Sequence, residues 1–177
     1  MNSELFGEKV EFPQVAAEIK KMIDADQEMR ERWEDDDFSD EDLDSIHTDR
    51  MKEIVSEIGW PTIPKVGLAG AESAWLLVQH ADHDVDFQIY CLDLMKSAPK
   101  DEVGTVNIAY LEDRVRVNQG RGQLYGTQFT QENNQHIPRT IEDADNVDAR
   151  RAEIGMGPLQ EQIDHMYQKY PFKTEKA

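Results

Sequence analysis

The chain has 177 residues, 38% of them hydrophobic and 32% charged, and carries a net charge of −18 at pH 7. That length and apolar content suit one domain over residues 1–177, and the charge opposes binding to a phosphate backbone, which needs clustered cations. No stretch approaches the roughly 20 consecutive apolar residues of a membrane span.

Met1 to Gln14 shows no basic-then-apolar signal pattern, and the lone Cys91 lies in the apolar run FQIYCLDLM, where it reads as a core thiol. A cytoplasmic protein is expected, with neither nucleic acid nor membrane as partner. Oligomeric state is not legible.

In chain order, Gln14 to Trp33 has helical periodicity, with Val15, Ile19, Met22 and Ile23 on one face and Pro13 suited to its start. EDDDFSDEDLD follows, with eight acidic residues in eleven. A calcium loop fails here, because glycine and the bidentate glutamate are missing at the required spacing. Residues 34–42 therefore read as a solvated acidic linker. Ser39 with Asp42 resembles a capping box for a second helix through Ile58, with Leu43, Ile46, Met51, Ile54, Val55 and Ile58 as its buried side.

GWPTIPKVG, Gly59 to Gly67, reads as a loop on its prolines and glycines, with Trp60 plugging the core. Helices are then expected at about 71–81, 85–98 and 105–117. QLYGTQF after Gly122 alternates like a strand, and with HIPRTI it suits a small hairpin. Two last helices are expected near 144–153 and 158–169. The fold class is mostly α: a compact helical domain of about six or seven helices with one small β-hairpin.

Charge is unevenly spread. Six of the nine arginines fall in residues 114–151, a segment without lysine. Arginine suits bidentate contact with carboxylate or phosphate, so Arg114, Arg150 and Arg151 are candidate anion contacts. The competing reading is neutralisation of the chain's own acidic surface.

His80 follows the apolar run Trp75 to Val78, with His83 three residues on and Asp84 beside it. No H-E-x-x-H or paired-cysteine motif occurs, so neither metal nor cofactor is expected. At 100° per residue, Val106, Tyr110, Asp113 and Val117 fall within about 60° of one another. Asp113 on such an apolar stripe must be paired or hydrogen-bonded. It reads either as a tie organising the following loop or as a carboxylate orienting His80, an arginine or a ligand. The glycines of NQGRGQLYG fit neither a P-loop nor a dinucleotide motif. Gln123, Tyr125 and Thr127 would share one side of a strand, serving a ligand or anchoring the strand.

The chain resembles a bacterial domain-of-unknown-function family. The resemblance rests on Gly59-Trp60-Pro61; Trp75 with Gln79 to Asp82; Tyr110-Leu111 with Asp113-Arg114-Val115; Gly120 with Gln123 and Tyr125 to Gln128; and Arg150-Arg151 with Gly155, Pro158 and Leu159. It spans about residues 45–165 and implies only that these polar positions belong together.

The functional expectation is a small enzyme or enzyme-like domain with a hydrolase-like or ligand-binding site for a small polar, anionic molecule. His80, Asp113 and Tyr125 are the catalytic candidates. Gln79, Arg114, Gln123, Thr127, Gln128, Arg150 and Arg151 are the ligand-binding candidates, with no metal ligands. The alternative is a non-catalytic acidic binding or interaction protein.

Overall fold

A computed structural model of the chain describes residues 10–32 and 40–172. Its helices are α1 (Pro13–Arg32), α2 (Asp40–Ile58), α3 (Ile63–Gln79), α4 (Val85–Ser97), α5 (Thr105–Asn118), α6 (Val147–Glu153) and α7 (Leu159–Lys169). Between α5 and α6 lie β1 (Phe129–Glu132), β2 (Gln135–Pro138) and a 3-10 turn, Ala144–Asn146. The fold is mostly α with one small antiparallel hairpin. Of the acidic stretch, residues 40–42 open α2. Residues 34–39, and with them Ser39 of the expected capping box, lie outside the described residues.

The chain divides into two compact units, Met1–Gly104 and Thr105–Ala177. In the first, α1 packs on α3 and α2, and α3 also packs on α2 and α4. Ile19, Met51, Ile54, Val55, Val78, Cys91 and Met95 are buried in its core. Burying such a side chain contributes about 1.5–3 kcal/mol. Trp60 is buried, and burial pushes the Cys91 thiol well above its usual range, so it is an inert core group.

Two local departures from the sequence pattern have clear causes. Helix α3 begins at Ile63, not near Ala71, and runs through Pro64 because the first turn of a helix does not need that N–H. Gly67 (φ 77°, ψ 166°) then kinks the chain before the helix resumes, a conformation that favours glycine. On α2 the buried stripe is His47, Thr48, Met51, Ile54 and Val55, while Ile46 is 63% exposed. The expected face thus holds at Met51, Ile54 and Val55, and departs only in the N-terminal part of the helix, where His47 and Thr48 are buried in place of Ile46.

In the second unit the expected strand at QLYGTQF is an irregular loop, and β1 starts only at Phe129. The backbone N–H groups of Leu124, Tyr125 and Thr127 donate to the Asp113 carboxylate, so they are not available to a strand ladder. Gly126 in this loop has φ 72°, and a Cβ there would meet Leu159 Cδ1 at 2.6 Å. The hairpin turns through Asn133 and Asn134, both at positive φ (50° and 57°), the backbone that a two-residue hairpin turn needs. His136 of β2 stacks on Phe172 with ring centroids 4.5 Å apart and meets Tyr167 edge-on, fastening the hairpin to the end of α7.

Candidate functional site

A set of interacting titratable side chains in the first unit stands where the C-terminal ends of α1 and α3 meet the N-terminal part of α2. His80 is the residue that ends α3. Its Nδ1 lies 2.8 Å from Oδ1 of Asp26, a fully buried carboxylate on α1. Arg30, one helical turn beyond Asp26, donates from Nη2 to Asp26 Oδ1 at 3.0 Å and to Asp44 Oδ1 on α2 at 2.7 Å. One guanidinium therefore bridges two carboxylates, and the first of these also holds the imidazole.

Burial raises the Asp26 carboxyl, but the hydrogen bonds and charges of His80 and Arg30 outweigh it and hold it at about 2. Asp26 is thus an anion at any physiological pH. An ionised carboxylate can only accept, so Nδ1 of His80 carries the hydrogen and Nε2 of the neutral ring keeps its lone pair. His47, one turn after Asp44, is 7% exposed, and its Nδ1 has no hydrogen-bond partner among the described residues. Burial lowers its affinity for a proton, against the pull of Asp26 and Asp44.

Asp26, Asp44 and His80 present ligand-type atoms within 4.8 Å of one another. The Arg30 guanidinium already serves both carboxylates as their cation, so a metal ion would first have to displace it. Helix α3 stops at Gln79, so His80 and His83 do not share a helical face, and His83 is exposed. Asp84 instead caps α4, accepting from the Phe87 N–H at 3.0 Å, and pairs with Lys52 at 2.8 Å. Gln79 is buried, and its Nε2 has no partner among the described residues.

The remaining candidates belong to the second unit. Asp113 is fully buried and accepts from the N–H groups of Leu124 (2.6 Å), Tyr125 (3.1 Å) and Thr127 (3.0 Å), and from Thr127 Oγ1 (3.0 Å). Burial pushes its carboxyl up from the usual range while these donors pull it back. Of the two readings open to it, the geometry is that of the loop-organising tie. Gln123 joins the loop to itself, donating to the carbonyls of Gln128 (2.9 Å) and Arg139 (2.8 Å) and accepting from the Gln128 N–H (2.8 Å). Gln128 also accepts from Arg114 Nη1 at 3.0 Å.

Arg150 donates to the carbonyls of Leu124, Glu142 and Asp143, and Arg151 to those of Tyr125 and Gly157. Burial, with the charges of Glu112 and Asp113, raises the Tyr125 phenol, so it is no phenolate at neutral pH. The candidates from Asp113 to Arg151 are thus interconnected around one loop, and the carboxylate bonded to His80 is Asp26.

Asp26, Arg30, Asp44 and His47 were absent from the sequence-based candidates, yet a signal existed. At 100° per residue Asp26 and Arg30 fall within about 20° of Ile19, on the buried stripe of α1. The test that singled out Asp113 applies equally to Asp26. On α2, Asp44 and His47 lead into the stripe continued by Met51.

No helix among the described residues is long and apolar enough to cross a membrane. No curated protein and no solved structure matches the chain. A family model described as a family of unknown function, DUF6624, matches residues 13–175, nearly the whole sequence, and the chain belongs to that family.

Proposed function

We propose that this protein is a small enzyme or enzyme-like domain in which His80 acts as general acid and base on a small polar molecule. The observation that carries the reading is the 2.8 Å pair between His80 Nδ1 and a buried Asp26 whose carboxyl is held at about 2. A permanent carboxylate at Nδ1 sets the tautomer, orients the ring and stabilises the imidazolium formed when Nε2 takes a proton. Arg30 keeps Asp26 ionised and fixed, and Asp44 fixes Arg30. Asp26 and Arg30 are positioning residues in this reading, and His80 is the catalytic one.

Two carboxylates against one guanidinium leave this cluster net negative when both histidines are neutral. The cluster therefore favours a neutral polar substrate with a transferable proton, and the expected preference for an anion rests on the arginines of residues 114–151 alone.

A thermal-shift screen of polar metabolites on the full chain, repeated with His80→Gln and Asp26→Asn, tests the proposal. A ligand response lost in a folded His80→Gln protein supports it. A response unchanged in that variant overturns it. Independently of any ligand, ring-nitrogen NMR must find the hydrogen of neutral His80 on Nδ1, and a neutral ring protonated at Nε2 contradicts the mechanism.

A further inference from the structure

We propose that Arg151, with Gln162, His165 and Glu161, forms a binding site in the second unit for a small zwitterion of the α-amino-acid type. Arg151 is only 2% exposed, yet it lines a cavity of about 280 Å³ together with Met156, Gly157, Glu161, Gln162 and His165.

Its Nε donates to the Gly157 carbonyl at 2.6 Å and its Nη1 to the Tyr125 carbonyl at 2.7 Å. Nη2 has no hydrogen-bond partner, and no carboxylate stands within ion-pair distance, among the described residues. Its neighbour Arg150 has Asp143 at 3.3 Å. Carbonyls satisfy N–H groups, but they do not supply the opposite charge that a buried cation requires. Burial accordingly lowers the Arg151 proton affinity despite nearby acidic groups. A carboxylate delivered to Nη2 would complete the guanidinium.

The other lining groups define the rest of the ligand. Gln162 accepts from the Tyr110 hydroxyl through Oε1 at 3.1 Å, and its Nε2, without a partner among the described residues, is a second donor for the carboxylate. The His165 ring adds a further polar group at the wall. Glu161 is the opposing feature. Its Oε2 stands against Gly157, so close that a Cβ there would collide with it, beside the residue whose carbonyl takes Arg151 Nε. A cavity with a buried guanidinium and a carboxylate on its wall disfavours a plain anion and fits a ligand carrying an ammonium beside its carboxylate. That pairing on adjacent carbons distinguishes a free amino acid from a peptide C-terminus, which lacks the ammonium.

Amide NMR of the full chain, titrated separately with glycine, acetate and N-acetylglycine, tests the assignment. Saturable shifts with glycine, centred on residues 156–165 and stronger than those with acetate or N-acetylglycine, are expected. Arg151→Met should abolish them. Because Arg151 also holds two carbonyls, so that its removal perturbs the loop as well as the cavity, Glu161→Gln provides the second arm. It should weaken glycine up to about fivefold, the size of one partly exposed charge pair, while acetate binding holds or improves. Absence of saturable glycine shifts at these residues overturns the proposal. So does acetate or N-acetylglycine matching glycine, or a Glu161→Gln protein that discriminates as the wild type does.

Discussion

The cluster around His80 and the loop around Asp113 are both built on a fully buried aspartate, and they use it differently. Asp26 is bound by three side chains, His80, Arg30 and Gln27, each of which can change partner. Asp113 is bound by three backbone N–H groups and the Thr127 hydroxyl, donors that never titrate. The second arrangement holds an irregular loop in one conformation, and its arginines reinforce this by donating to backbone carbonyls. The first leaves a buried imidazole nitrogen on His47 without a partner among the described residues and an oriented imidazole on His80. Burial of a carboxylate alone does not mark chemistry. What surrounds it decides whether it is a fastening or a functional group.

The largest effect is expected at Asp113. Asp113→Ala strands several buried N–H groups at once and should lower unfolding free energy by about 3–5 kcal/mol. A loss below about 1 kcal/mol in urea denaturation would break the contrast, since the loop would not depend on its carboxylate. Asp26→Asn comes next, at about 2–4 kcal/mol, because Arg30 keeps Asp44.

The same variant should remove an acid-dependent component. The folded carboxyl at about 2 lies below its ordinary 3.8, so the unfolded chain binds the proton more readily. The resulting stability, about 2 kcal/mol, is fully present above pH 4 and lost as pH falls through about 2. Comparing wild-type and Asp26→Asn denaturation midpoints from pH 6 to pH 2 measures it, and parallel curves would refute it.

A smaller effect belongs to His47. Burial lowers its proton affinity from an ordinary value of 6.5, so the unfolded state again binds the proton more tightly. Stability from neutral His47 is present above pH 6.5 and declines as pH falls below it. His47→Gln should flatten the wild-type decline between pH 7 and pH 5, and an unchanged slope would place the titrating group elsewhere. The smallest effect is at His83, exposed and beyond the end of α3: His83→Ala should alter stability by less than about 0.5 kcal/mol.

Much of the architecture was legible in the residues. Periodicity located α1, α2, α4, α5 and α7 to within a few positions, and the hairpin falls inside the interval where alternation ceased to look helical. The start of α3 is not legible, because Pro64 and Gly67 look like loop punctuation even when one occupies a first turn and the other a kink. The loop at residues 123–128 has the alternation of a strand without being one, because alternation does not show where backbone N–H groups will find their acceptors.

The sequence by itself determined the helical class and the burial of Asp113. Each of these follows from short-range periodicity within one element. Which carboxylate meets His80 was decided only by tertiary structure. Asp26 is 54 residues away in the chain, and it reaches the ring because α1 packs against α3 so that both present their C-terminal ends to the N-terminal part of α2. Periodicity assigns a residue to a face, but the packing of faces selects its partner.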